Sequence, residues 1–259
     1  MKVLILDTPE QAVARTAGLI GEQLAARPDS VLGLATGGTM TPVYGALVAD
    51  HRAGRISFAG VTSFNFDEYL GLPPSDPRSY RATMQAQLFD HVDIDPARTH
   101  LPLGDTPDPD AEAARYEAEI AAAGGIDLQL LGIGRNGHIG FNEPTSSLTS
   151  RTRVKTLSQE TRAANAGFFP EGDTPQFGLT MGVGTIMEAR HCLMLATGAA
   201  KAQAVAAMVE GPVAAVCPAS ILQMHPRATL VLDRAAAGQL RLLSYYVHVP
   251  PNGAARALE

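Results

Sequence analysis

The chain contains no apolar run approaching the ~20 residues needed to cross a bilayer, no basic stripe, no 20- to 50-residue repeat and no low-complexity tract. Each absence removes a class of function. Without an apolar span the protein is not expected in a membrane. The opening "MKVLILDTPEQ" reaches Asp7 and Glu10 too soon for a signal peptide, so a cytoplasmic location is expected. Lysine and arginine occur singly in a chain of formal net charge -6, which argues against a nucleic-acid or anionic-membrane surface. Any anionic ligand must therefore be held by a local site. Cysteine is scarce as well: Cys192 and Cys217 sit in apolar surroundings with no Cys-x-x-Cys or histidine at ligand spacing, which points to buried, reduced residues without metal or redox chemistry.

What is present is apolar sequence in quantity, 46% of 259 residues, enough for a substantial core, and residues 1–259 are expected to form a single domain. Short β-rich runs at 3–6, 31–35, 61–65, 128–131, 192–196 and 229–232 alternate with alanine-rich helical segments such as 9–26 and 111–122. The alternation predicts an α/β, Rossmann-like fold: a mostly parallel sheet with helices on both faces. Ligands of such sheets bind beyond the carboxyl ends of the strands, where this chain carries "TGGT", "FDEYLG", "GIGRNGHIG" and "TGAAK". Residues 71–80 and 102–110 read as loops, and 150–180, with a break at 168–173, as a lid.

Four of these stretches carry candidate chemistry. Gly37, Gly38 and Thr39 lie between a strand and a helix starting near Thr41-Pro42, a pattern that serves either as an anion cradle of backbone amides or as a tight strand-to-helix turn. It is neither a Walker A loop nor a full G-x-G-x-x-G, which weakens nucleotide binding and leaves a small phosphate ester. Asp67 and Glu68 fall where a strand should end, placed for a base or merely for capping the next turn. In "LGIGRNGHIGFNEP", residues 131–144, Asn136, His138 and Glu143 can converge on one point, and a histidine beside a carboxylate is a proton shuttle. Four glycines around it imply close approach of the backbone to something. A metal is less attractive, because further ligands at a recognisable spacing are lacking. Lys201, after another apolar run, is an exposed helix lysine or a phosphate partner at a helix start.

Together "GLATGGT", "FNFDEYLGL", "GIGRNGHIGFNEP", "SRTRVKTLSQETRAAN" and "LTMGVGTI", present in order over nearly the whole length, resemble the glucosamine-6-phosphate deaminase family. The resemblance implies conversion of glucosamine 6-phosphate to fructose 6-phosphate and ammonia without a cofactor, in amino sugar catabolism, by a hydrolase of a C–N bond that also isomerises. It assigns Asp67 the proton transfer between C2 and C1, and His138, supported by Glu143 and Asn136, the ring opening. Gly37, Gly38, Thr39 and Lys201 become the phosphate contacts, and a sugar phosphate the partner. Two positions depart from the family. Asn136 stands where some members carry Asp, so the relay rests more on Glu143. Gly167 stands where some carry a phosphate-binding Arg, leaving Arg162 or Arg153 as substitutes. Ser146, Ser147, Arg153 and Lys155 match a second sugar-phosphate site of regulated homo-oligomeric members. Rival expectations are a sugar-phosphate lactone hydrolase, with little need for Asp67, and a non-enzymatic sensor, which should carry a DNA-binding module that residues 1–30 do not show.

Overall fold

The computed structural model describes residues 1–169 and 174–248. Along the chain run β1 (Lys2–Leu6), α1 (Pro9–Ala26), β2 (Val31–Leu34), α2 (Thr41–Arg52), β3 (Thr62–Asn65), β4 (Asp67–Tyr69), α3 (Tyr80–Gln87) and β5 (Thr99–His100). These are followed by α4 (Pro109–Ala122), β6 (Leu128–Leu131), β7 (Arg153–Thr156), α5 (Gln159–Asn165) and β8 (Phe177–Thr180). The chain continues through α6 (Val183–Met187), β9 (Cys192–Ala196), α7 (Ala202–Glu210), β10 (Ala228–Asp233) and α8 (Leu243–Tyr246).

Seven strands form one parallel sheet in the order β1-β10-β9-β6-β2-β3-β5. Every residue of β2, β6, β9 and β10 is buried, so both faces of the sheet are covered and their apolar runs are continuous instead of alternating. Helix α1 shows how the covering works. Thr8 accepts a hydrogen bond from the Gln11 amide to start it, Pro9 fills its first turn, and Ala12, Thr16, Ala17, Ile20 and Leu24 form its buried stripe. From β2 the chain passes to β3 on one side, whereas from β6 the main sheet continues to β9 on the other, so the loops after these two adjacent strands diverge. A crevice at such a switch point is where this class of sheet binds ligands.

All six expected strands are present, and the expected helices at 9–26 and 111–122 correspond to α1 and α4. The expectation that Asp67 ends a strand is corrected: β3 ends at Asn65 and Asp67 opens β4, which belongs to a second, antiparallel sheet ordered β4-β8-β7. Phe66 hands the chain from one sheet to the other. Its amide donates to the Leu34 carbonyl at 3.3 Å, and its carbonyl accepts from the Met181 amide at 2.6 Å. Tyr69, Leu72, Phe141, Leu157 and Phe169 form a separate apolar cluster, with Tyr80 packed against it. The segment expected to be a lid folds as β7, α5 and β8, with part of its expected break, residues 170–173, outside the described residues. Among the described residues no helix is long and apolar enough to cross a membrane.

Candidate active site

A cleft of about 670 Å³ opens beyond the carboxyl ends of β2, β3, β6 and β9. Its wall includes Gly37, Gly38, Thr39, Asp67, His138 and Lys201, drawn from four separate parts of the chain, while Asn136 and Glu143 stand behind His138. The distance in sequence between these groups is closed by the parallel sheet, which brings the ends of its strands to one edge.

The glycine loop between β2 and α2 has the construction of an anion cradle. Gly37 adopts φ +110, a backbone conformation that few side chains tolerate, and a Cβ on Gly37 or Gly38 would meet no protein atom within 4 Å. The space there is open to a ligand. No side chain caps the N-terminus of α2, so the first amides of this helix keep their hydrogen-bonding capacity and their partial positive charge. Across the cleft, Lys201 lies just before α7 and its Nζ donates to the Ile133 carbonyl at 2.7 Å. Burial holds the Lys201 ammonium below its ordinary pKa, nearby Arg135 adds to that effect, and Glu160 opposes it.

Asp67 is 4% exposed, and no described residue donates a hydrogen bond to its carboxylate. Burial, helped by the charge of Glu68, pushes its pKa well above the ordinary 3.8. A carboxylate made more basic in this way and left without a partner in a cleft has the properties of a general base. Glu68 faces elsewhere. Its Oε1 accepts from the Tyr69 and Tyr80 amides at 2.8 and 2.9 Å and its Oε2 from the Arg81 amide at 2.9 Å, which ties β4 to the start of α3. Burial raises Glu68 to about 6 despite those three amides and Arg81.

His138 is held by its own loop. The Gly134 amide donates to the His138 carbonyl at 2.9 Å, and a Cβ on Gly134 would stand 2.2 Å from the imidazole, so glycine there makes room for the ring. Gly137, at φ +85, passes so close to Cys217 that a Cβ would meet its Sγ at 2.6 Å. The close approach implied by these glycines is thus to other parts of the protein. Imidazole Nδ1 lies 3.6 Å from Glu143 Oε2, an ion-pair distance slightly too long for a hydrogen bond, so Nδ1 is buried without a hydrogen-bond partner. The hydrogen bonds of Asn136 go elsewhere than the ring: its Nδ2 donates to Glu143 Oε2 at 3.0 Å and its Oδ1 accepts from the His138 amide at 3.2 Å. The amide and hydroxyl of Ser158 both donate to Glu143 Oε1 at 3.1 Å. Burial would raise Glu143, but His138, Thr161 and the Ser158 amide outweigh it and hold the carboxyl at about 2.

Several residues of the site were not expected from sequence. Tyr80 lines the cleft and stacks on Phe141 at 5.8 Å. Helix α5 contributes Glu160, Thr161 and Asn165 to the wall, so part of the segment expected to be a lid borders the cleft. Asn142 pins the histidine loop to the small sheet, with Nδ2 donating to the Met181 carbonyl at 2.8 Å and Oδ1 accepting from Arg153 Nη1 at 2.9 Å. That contact places Arg153 outside the cleft wall. Arg162 is also outside it, its Nε buried without a partner, so neither expected substitute for an arginine at Gly167 faces the ligand space. Ser146, Ser147 and Lys155 lie outside the cleft too; the Ser146 hydroxyl is buried and unpartnered, and Ser147 bonds to Thr149 at 3.1 Å.

The family described as glucosamine-6-phosphate isomerases/6-phosphogluconolactonase matches residues 7–231. A glucosamine-6-phosphate deaminase of Shewanella loihica is 57% identical over 250 residues, 96% of this chain and 93% of that protein. One from Cellvibrio japonicus is 54% identical over 250 residues, covering 96% and 95%. The solved structure of a monomeric glucosamine-6-phosphate deaminase superimposes with a TM-score of 0.90 at 44% identity, covering 92% of this chain and all, 100%, of that one. The 6-phosphogluconolactonase of Trypanosoma brucei, 22% identical with a TM-score of 0.74 over 92% of this chain and 98% of its own, shares the fold.

Proposed function

The chain belongs to the glucosamine-6-phosphate isomerase/6-phosphogluconolactonase family, and on that premise we propose that it converts glucosamine 6-phosphate and water to fructose 6-phosphate and ammonia. The reaction is a deaminating isomerisation. Hydrolysis enters only at its last step, so a hydrolase of a C–N bond describes one part of the chemistry.

The closed sugar must open first. His138 takes the proton of the C1 hydroxyl and delivers one to the ring oxygen, while Glu143, charged at any working pH, orients the imidazole through the contact at 3.6 Å. Asp67 then removes the proton from C2 and returns it to C1 on the same face, leaving a C2 imine to which water adds and from which ammonia departs. One short carboxylate serves both carbons because they are adjacent. The phosphate rests on residues 37–39, on the amides at the start of α2 and on Lys201, well away from the reacting carbons. No cofactor is required by these steps. Residues 1–259 acting as one unit in the cytoplasm, with α5 as the cover of the cleft, complete the reading.

The observation that carries the proposal is Asp67, a buried carboxylate without a hydrogen-bond donor beside an anion cradle. A lactone hydrolase would use His138 to activate water and would leave Asp67 without a role. The test is to add glucosamine 6-phosphate to the purified protein and measure ammonia and fructose 6-phosphate. Release of both is expected; release of neither, with hydrolysis of 6-phosphogluconolactone instead, would overturn the reading.

A further inference from the structure

The phosphate end of the cleft lacks one positive charge relative to the arrangement that the family resemblance implies. Gly167 is exposed and has no side chain to offer, Arg153 is engaged by Asn142, and Arg162 lies outside the cleft wall. Two basic side chains remain in that wall, Lys201 and Arg135. The two meet at one stretch of backbone, since Lys201 Nζ is anchored on the carbonyl of Ile133, two residues before Arg135. The Arg135 guanidinium is exposed and forms no hydrogen bond or ion pair with any described residue. It is nevertheless close enough to Lys201 to disfavour the ammonium, a repulsion that a bound anion would reverse.

We propose that Arg135 is a specificity residue for the substrate phosphate, closing on it together with Lys201 while the cradle at residues 37–39 holds its other side. The assignment rests on the function proposed above. A guanidinium suits the task because its planar fork can meet two phosphate oxygens at once, and an exposed side chain reaches them by rotation of its own bonds without movement of the loop. The site thereby obtains from the histidine loop the second cation that position 167 does not supply. Glu160, on α5, is an acidic group of the same wall and works against the depression of the Lys201 ammonium.

The test is calorimetric titration of the whole enzyme with inorganic phosphate and with fructose 6-phosphate, for wild type, Arg135→Ala, Arg135→Lys and Arg162→Ala, with kcat and KM measured alongside. Arg135→Ala should weaken both ligands by about tenfold to a hundredfold, the range for a hydrogen bond between charged groups. KM should rise to match, kcat should stay within a few-fold, and the preference for glucosamine 6-phosphate over glucosamine should narrow. Arg135→Lys should recover part of the affinity, and Arg162→Ala should bind as wild type does. Unchanged phosphate affinity in a folded Arg135→Ala enzyme that still releases ammonia would overturn the assignment alone, as would a loss confined to Arg162→Ala. Phosphate binding that depends on Arg135 in a wild type that releases no ammonia would instead sink the proposed reaction and keep the anion site.

Discussion

Asp67 and Glu68 share a strand, a functional group and a depth of burial, 4% and 2% exposed, and differ in what stands opposite them. The extended backbone of β4 turns the two side chains to opposite sides. On one side Glu68 receives two amides from the start of α3 and one from its neighbour Tyr69; on the other the cleft offers Asp67 none. Burial raises both carboxyls, but only Glu68 receives donors that favour its charged form. The same division recurs behind the histidine, where Glu143 is bonded by Asn136 and Ser158 and the imidazole Nδ1 has no hydrogen-bond partner. In each pair the satisfied group holds the structure together and the unsatisfied one faces the ligand space or borders it. Stability and reactivity are thus carried by neighbouring atoms of opposite satisfaction.

The contrast is best broken by exchanging the roles. Asp67→Asn should fold and bind fructose 6-phosphate while kcat falls by roughly a hundredfold to ten-thousandfold, the usual range for loss of a general base. It should also fail to exchange the C1 proton of fructose 6-phosphate with deuterated water, as followed by NMR, whereas Glu68→Gln should retain the exchange. The opposite pattern would show that the wrong carboxylate had been chosen. Next in size is Glu143→Gln, which should slow the closed-ring substrate by about tenfold or more yet largely spare an analogue locked in the open chain. Equal losses on both would remove Glu143 from the ring-opening step.

The remaining effects concern stability. Glu68→Gln should destabilise the fold by about 1–3 kcal/mol, because at least one buried amide at the start of α3 loses its acceptor. At this chain length that is roughly 2–4 °C in Tm for each kcal/mol. Asp67→Asn should do the reverse. The folded-state pKa of Asp67 is raised, so its contribution is most favourable below the unfolded value near 3.8 and is lost as the pH rises through the folded one. The mutant should therefore melt above wild type at neutral pH, with the gap closing as the pH falls toward 4. Thermal melts across that range decide it, and a gap independent of pH would mean that the carboxylate is not strained by its surroundings. Smallest of all, Glu160→Gln should lower KM by a few-fold by removing an acidic group from the phosphate end.

How much of this could be read from sequence follows from how each element is stabilised. Strands β2, β6, β9 and β10 are buried on both faces and announce themselves as apolar runs. Strands β4, β7 and β8 are three or four residues long and of mixed polarity, "DEY", "RVKT" and "FGLT", and exist because they pair with one another across large separations, as Asp67 does with Thr180. No local pattern encodes such a partner. The site divides in the same way. The nearness of His138, Asn136 and Glu143 was legible from their spacing, but the engagement of Asn136 with a carboxylate and a backbone amide, and not with the ring, was not. Tyr80 enters the cleft from an ordinary helix start that nothing beside it in sequence marks, whereas Arg135 and Glu160 lie within stretches that stand out in the sequence for other residues.

The single-residue link at Phe66 has a geometric consequence. The cradle hangs from β2 and the proposed base rides on the small sheet, joined to it across one residue whose amide is bonded to the last carbonyl of β2. On the function proposed above, the spacing between the cradle and Asp67 has to match the span between the phosphate and the reacting carbon. Molecules are gauged by span as well as by charge. A sugar phosphate one carbon shorter should seat its phosphate and leave the reacting carbon short of Asp67, so it is expected to occupy the cleft as an inhibitor and not turn over.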